Sequence, residues 1–89
     1  MNKQFIIDKI SEFLGKQITK YDWVGDFKNG FAQVIKIIEG ERKYGFINKE
    51  GKEVVPCVYD NVYDFSDGFA EVQKDGVWYK INTKGEIVN

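Results

Sequence analysis

The chain has 89 residues, which is enough for one small domain with a modest hydrophobic core. Hydrophobic residues make up 43% and aromatic residues 16% of the sequence, a composition that excludes an intrinsically disordered protein. The formal net charge of -1 excludes strong electrostatic attraction to nucleic acid or anionic lipid, so we expect neither nucleic acid nor a membrane as a partner.

Residues 5–14 place their apolar side chains at the spacing of one helical face. Asn2 can cap the start of such a helix, and Gly15 is placed to end it in a left-handed conformation. The pattern predicts an N-terminal amphipathic helix that packs its apolar face over one end of a β-sheet. Charged residues interrupt the apolar positions, which argues against a signal peptide and predicts a cytoplasmic protein.

After residue 20, short apolar or aromatic runs alternate with turn signals that end in glycine, such as Asn29-Gly30 and Asp75-Gly76. This spacing is typical of short antiparallel strands joined by tight hairpins, where glycine supplies the positive φ. We predict strands at 31–38, 42–48, 52–55, 69–74, 77–82 and 86–88.

The β-rich region is an internal duplication. Residues 21–36 align without a gap to residues 59–74 and are identical at ten of sixteen positions. Residues 44–55 align to 78–89, and the first copy has four extra residues between Lys36 and Tyr44. We expect these four to lengthen the loop around 39–42, because the second copy closes there with a tight hairpin.

The organisation predicted is one domain of fold class α+β, a helix packed on an antiparallel hairpin sheet. Residues 1–20 form the helix and linker, 21–56 the first repeat, and 59–89 the second repeat. Two repeats bury little continuous core, and a homodimer is one arrangement that would cover the end left open by the helix.

The repeats share a motif whose spacing is found in a known family. In the second repeat it consists of Tyr59, Asp60, Val62, Phe65, Gly68, Ala70 and Val72. This pattern resembles the WG (or KWG) repeat, which occurs in tandem arrays in many bacterial proteins. Neither copy keeps the Trp-Gly dipeptide, since the first has Tyr44-Gly45 and the second Trp78-Tyr79. The resemblance implies a β-rich interaction module and implies no reaction.

Residues identical in both repeats are best explained by the fold. We expect Asn48 and Asn82 to cap their hairpin loops through side-chain hydrogen bonds to the backbone. The shared aspartates are expected to accept hydrogen bonds from backbone amides in the loop before each strand: Asp22, Asp26, Asp60 and Asp64. Catalytic carboxylates are the minority alternative for these positions.

Residues that differ between the repeats are the better candidates for a binding surface. The aromatic candidates are Trp23, Tyr63, Trp78 and Tyr79, each of which is alternatively part of the core. The second repeat is also acidic, with three lysines against six acidic residues in 59–89. Its acidic candidates are Asp64, Asp67 and Glu71.

We find no pattern that indicates catalysis. The sequence has no histidine and no glycine-rich phosphate loop, and its one cysteine, Cys57, lies in an apolar run that predicts a buried, small hydrophobic residue. We therefore expect no enzyme activity, cofactor or metal, and a module that binds a protein partner through loops and aromatic residues. The alternatives are a carbohydrate or cell-envelope binding module and a small acidic inhibitor of a nucleic-acid enzyme.

Overall fold

The computed structural model describes residues 20–88, and every regular element in that range is a β-strand. The strands form a four-stranded sheet of order β1-β2-β3-β4 and a three-stranded sheet of order β5-β6-β7, both antiparallel. Their bounds are β1 Trp23–Lys28, β2 Phe31–Ile38, β3 Glu41–Asn48, β4 Glu53–Tyr59, β5 Asn61–Val62, β6 Phe69–Lys74 and β7 Val77–Asn82.

The predicted α+β class is wrong, because the described residues are all-β and form two sheets. Glycine turns that recur every eight to eleven residues leave no segment of 20–88 long enough for a stable helix. The predicted helix at 5–14 lies outside the described residues. No helix of the described region has the length and apolar character needed to cross a bilayer.

The β1–β2, β2–β3 and β6–β7 hairpins close with two-residue turns in which both residues have positive φ, the type I′ geometry that matches the twist of antiparallel strands. At the first of these turns φ is 55° for Asn29 and 90° for Gly30. The same pairing of a non-glycine residue with glycine recurs at Glu39-Gly40, Asp67-Gly68 and Asp75-Gly76. These turns confirm the predicted role of glycine in the hairpins.

The duplication is visible in the hydrogen bonds. The amide of Asp22 donates to the carbonyl of Ile35 at 2.8 Å, and the amide of Asp60 donates to the carbonyl of Gln73 at 2.8 Å. The carboxylates of the same two aspartates accept from the amides of Ile37 and Asp75, at 2.6 and 2.9 Å. The predicted bonds of Asp22 and Asp60 to backbone amides are confirmed, although each reaches across a hairpin rather than within a loop.

The two asparagine caps are confirmed in matching form. The Asn48 side-chain oxygen accepts from the amides of Glu50 and Lys52, at 3.0 and 2.9 Å. The Asn82 oxygen accepts in the same way from the second and fourth residues after it, at 2.9 and 3.0 Å. One asparagine thus orders the loop between β3 and β4 in the first repeat and the loop after β7 in the second. The strand predicted at 86–88 is wrong, since this segment forms only an isolated bridge between Ile81 and Ile87.

The four extra residues of the first repeat do not form a longer loop, so that prediction is wrong. Strands β2 and β3 have eight residues each, whereas their counterparts β6 and β7 have six. The added pairs are Ile37 with Arg42 and Ile38 with Glu41. Both hairpins still close with a two-residue turn, because additional ladder hydrogen bonds satisfy the backbone better than an open loop does.

The core has two parts, one centred on the first repeat and one shared by both repeats. In the first, Tyr21, Ala32, Val34, Ile47 and Cys57 pack together. The second contains residues of both repeats: Phe46, Val55, Tyr59, Phe65, Ala70, Val72 and Ile81. Because Phe46 and Val55 come from the first repeat, the second repeat completes its core with its neighbour's side chains.

Candidate binding surface

The outer face of the four-stranded sheet carries a groove of about 420 Å³. Cross-strand neighbours point to the same side of a sheet, and here Trp23 is opposite Ile35, Ile35 is opposite Tyr44, and Ile37 is opposite Arg42. Asp22 and Gln33 complete the lining. The strand register, rather than a flexible loop, therefore positions the groove residues.

Apolar side chains in this groove remain in contact with solvent. Trp23 is 51% exposed and Ile37 is 54% exposed. Gly25 makes room for the indole, since a Cβ atom at this position would lie 2.7 Å from Cη2 of the Trp23 ring. The indole thus lies against the backbone of β1, and its other side is free to contact a ligand.

Arg42 gives the groove its charge. It forms none of the ion pairs found within residues 20–88. The Asp22 carboxylate, the nearest acidic group in the lining, already accepts the hydrogen bond from the amide of Ile37. The groove therefore combines an apolar floor with one guanidinium group and one carboxylate that is already hydrogen-bonded to the backbone.

The second repeat does not reproduce this groove. Asn61 replaces Trp23 and Gln73 replaces Ile35, and the Asn61 side-chain nitrogen donates to the Gln73 oxygen at 2.9 Å. Ile37 and Arg42 belong to the added residue pairs and have no counterpart. The groove is thus specific to the first repeat, where the sheet is longer.

The other aromatic candidates lie on the second repeat. Tyr63 and Trp78 stack with ring centroids 5.1 Å apart and an interplanar angle of 9°. Tyr63 is 62% exposed, so the pair forms a solvent-exposed aromatic platform. Tyr79 differs from both, since it is partly buried and packs against the second core.

The acidic candidates are spread over different contacts. Asp64 joins the repeats, since its carboxylate accepts from the side-chain nitrogen of Gln33 at 2.7 Å and lies 3.6 Å from the ammonium of Lys28. Its predicted bond to a backbone amide is therefore wrong. Asp67 occupies a turn, and Glu71 is exposed on β6. Of these three acidic residues only Asp64 lies near Trp23. The two side chains line a second, smaller depression of about 170 Å³.

The sequence of the repeats matches the profile of a known family. The profile of the family described as WG containing repeat matches residues 17–36 and 44–78, more than half of the 89 residues. The chain belongs to the WG-containing-repeat family. No curated protein and no solved structure matches it.

The WG-repeat match also marks the unusual part of the groove. Its second segment runs from Tyr44 to Trp78, which are aligned positions of the two copies, so it spans one full repeat in a different phase. The gap between the segments covers residues 37–43, which contain Ile37 and Arg42. The sequence prediction placed Ile37 near the end of strand 31–38 and Arg42 at the start of strand 42–48. It missed both as groove residues because it expected a loop around 39–42 to separate them. Strand alternation from Ala32 onward was the signal that could have found Ile37.

The shifted pKa values of Asp60 and Cys57 in this WG-repeat domain follow from a contact between the repeats and from burial. The Lys43 ammonium lies 2.7 Å from the Asp60 carboxylate, and this contact, with the amide of Asp75, lowers the pKa of Asp60. Burial raises the pKa of the Cys57 thiol to about 11. Cys57 is 7% exposed, which confirms it as a buried, small hydrophobic residue. Within residues 20–88 no three Cys, Asp or Glu side chains gather into a metal site.

Proposed function

We propose that this WG-repeat domain is a non-catalytic module whose groove binds a protein partner. The ligand is an extended peptide segment that places apolar side chains on Trp23 and Ile37 and a carboxylate on Arg42. The exposed apolar groove beside a guanidinium group is the observation that supports this proposal.

The physical chemistry of the groove favours such a ligand. Covering one large apolar side chain contributes about 1.5–3 kcal/mol, so two or three contacts support moderate affinity. A planar guanidinium group accepts a carboxylate in a bidentate geometry, which fixes the direction of the peptide. Tryptophan and arginine are enriched among the residues that dominate binding energies at protein interfaces.

The contacts of the described cysteine and aspartate side chains support a binding role. The Cys57 thiol is buried, and its raised pKa keeps it protonated and unreactive at neutral pH. Asp22, Asp60 and Asp64 hold hydrogen bonds between strands or between repeats. We therefore propose a cytoplasmic binding protein rather than an enzyme.

Affinity capture with matched variants tests the groove. The wild-type chain is compared with Arg42→Glu and Trp23→Ala, and Lys84→Glu serves as a charge-matched control on an exposed loop away from the groove. We expect one protein to be recovered by wild type and Lys84→Glu and lost with both groove variants. Recovery of the same proteins by all four chains would contradict the proposal.

A carbohydrate ligand is the second candidate, and the Tyr63–Trp78 platform favours it. Sugar rings pack on flat, exposed aromatic faces, and the Tyr63 ring is largely exposed. NMR titration with a panel of oligosaccharides separates the candidates. Shifts confined to Tyr63 and Trp78 would support a sugar site, and unchanged aromatic signals across the panel would exclude it.

A further inference from the structure

The contact between the two repeats shows how one repeat receives another. The Phe65 ring of the second repeat packs on Phe31 and Phe46 of the first, with ring centroids 4.4 and 4.8 Å apart. The carbonyl of Phe65 accepts from the Asn29 side-chain nitrogen at 2.6 Å. The preceding carboxylate, that of Asp64, receives the Gln33 amide group at 2.7 Å and lies 3.6 Å from Lys28.

The first repeat thus receives an aspartate-phenylalanine pair with two complementary features. Phe31 and Phe46 form an apolar seat for the ring. Lys28, Asn29 and Gln33 surround the seat with a cation and two amide donors, which match an incoming carboxylate and carbonyl.

The second repeat carries a modified form of this seat at the equivalent positions. Phe69 stands at the position of Phe31 and is 40% exposed, so the seat is open within the described residues. Lys80 stands at the position of Phe46, and its ammonium lies 4.7 Å from the centroid of the Phe69 ring. An apolar residue with a lysine stem beside it can still accept an aromatic ring.

The polar residues around this second seat differ in charge from those around the seat of the first repeat. At the three donor positions of the first repeat the second repeat has Ser66, Asp67 and Glu71. A cation has been replaced by a neutral hydroxyl, and two amide groups by two carboxylates. All three residues are exposed. We call the surface formed by Ser66, Asp67, Phe69, Glu71 and Lys80 the Phe69 face.

These charges disfavour a second copy of this chain as the occupant. The residues equivalent to Asp64 and Phe65 in the first repeat are Asp26 and Phe27. Stacking two copies head to tail would bring the Asp26 carboxylate against Glu71, the counterpart of Gln33, and the Phe27 carbonyl against Asp67, the counterpart of Asn29. Like charges at such a contact oppose association and select against that partner.

We propose that the Phe69 face binds a protein segment in which an aromatic residue follows a lysine or arginine. The aromatic ring takes the place that Phe65 occupies in the first repeat, and the preceding cation lies beside Glu71, which stands at the position of Gln33. This site is separate from the groove of Trp23 and Arg42 and selects the opposite charge, so either proposal can fail without the other.

Two synthetic peptides with the sequence of residues 61–66 test this selectivity. One has the natural sequence, and the other carries lysine in place of Asp64. NMR titration of the full chain follows the signals of Phe69 and Lys80. We expect the lysine peptide to bind ~3-fold more tightly, as one exposed ion pair allows. The preference should shrink as salt rises from ~50 to ~500 mM.

Three variants complete the experiment. In Asp67→Asn/Glu71→Gln the lysine peptide should lose its advantage, and Phe69→Ala should weaken both peptides. Trp23→Ala, a change in the first repeat that keeps every residue of the Phe69 face, should leave both affinities unchanged. Equal binding of the two peptides to wild type, or shifts confined to the groove, would overturn the proposal.

Discussion

Lys43 of the first repeat and Asp60 of the second form an ion pair of 2.7 Å that links the two sheets. This contact lowers the pKa of Asp60 below its value in an unfolded chain. A carboxyl group with a lowered pKa in the folded state stabilises the fold above its unfolded pKa. That contribution disappears as the pH falls through the folded-state pKa.

The first prediction therefore concerns the pH dependence of stability. Asp60→Asn should lower the free energy of unfolding at pH 7, and the difference from wild type should vanish as the pH falls below ~4. Asp75→Asn is the control, because it removes the same charge in the β6–β7 turn. The Asp75 side chain makes none of the ion pairs found in residues 20–88. Urea unfolding at several pH values compares the three chains, and identical behaviour of both variants would refute the assigned role of the ion pair.

A second prediction compares two phenylalanines at the same position of the repeat. Phe65 is 1% exposed and packs on the first repeat, whereas Phe27 is 45% exposed. Phe65→Ala should cost ~3–5 kcal/mol of unfolding free energy, because it leaves a cavity between the sheets. Phe27→Ala should cost less than ~1.5 kcal/mol, since the residue lies near the surface. Chemical denaturation measures both, and equal losses would show that the repeats do not stack through Phe65.

A third prediction concerns the asparagine caps. Asn48→Ala and Asn82→Ala should each cost about 1–2 kcal/mol, because each leaves two loop amides without their acceptor. Thr83→Ala, an exposed change inside the second of these loops, is the control and should lie within ~0.5 kcal/mol of wild type. Thermal unfolding followed by circular dichroism gives the values. A cap variant as stable as the control would argue against the cap.

A fourth prediction separates two strand glycines by what surrounds them. A Cβ atom at Gly45 would overlap the carbonyl oxygen of Val55, which is backbone and cannot turn away. Gly45→Ala should therefore cost ~3 kcal/mol or more. Gly25→Ala would meet only the Trp23 ring, which can rotate, so the fold should persist while the indole moves. NMR signals of the Trp23 indole report the second effect, and a folded, unperturbed Gly45→Ala chain would contradict the first.

The sequence predicted the strands and caps correctly where a local pattern of residues determines the structure. Strands 31–38, 69–74 and 77–82 were predicted with the observed bounds, because alternating apolar residues lie between glycine turns. The asparagine caps followed from identity between the repeats. Strand β1 was missed, since Gly25 and Asp26 interrupt it and its ladder shifts register between Val24 and Phe27. Strand β4 was predicted too short because Pro56 lies within it.

The binding surface was harder to predict because it depends on contacts between distant strands. Trp23 was identified from its difference between the repeats. Ile37 and Arg42 lie in predicted strands, but the loop predicted around 39–42 hid that they are cross-strand neighbours. Asp64 was chosen as an exposed acid and instead joins the repeats through Gln33. No local pattern distinguishes an aspartate that faces solvent from one that meets an amide thirty-one residues away.

The longer hairpin of the first repeat shows how arrays of this kind can vary in size. Opposed residues of an antiparallel ladder alternate between hydrogen-bonded and non-bonded pairs, and a two-residue turn closes only one of these kinds. Growth at the tip must therefore add two residues to each strand, which is the difference between β2–β3 and β6–β7. Repeats can lengthen in steps of four residues and acquire new surface, while the joints between neighbours keep their geometry.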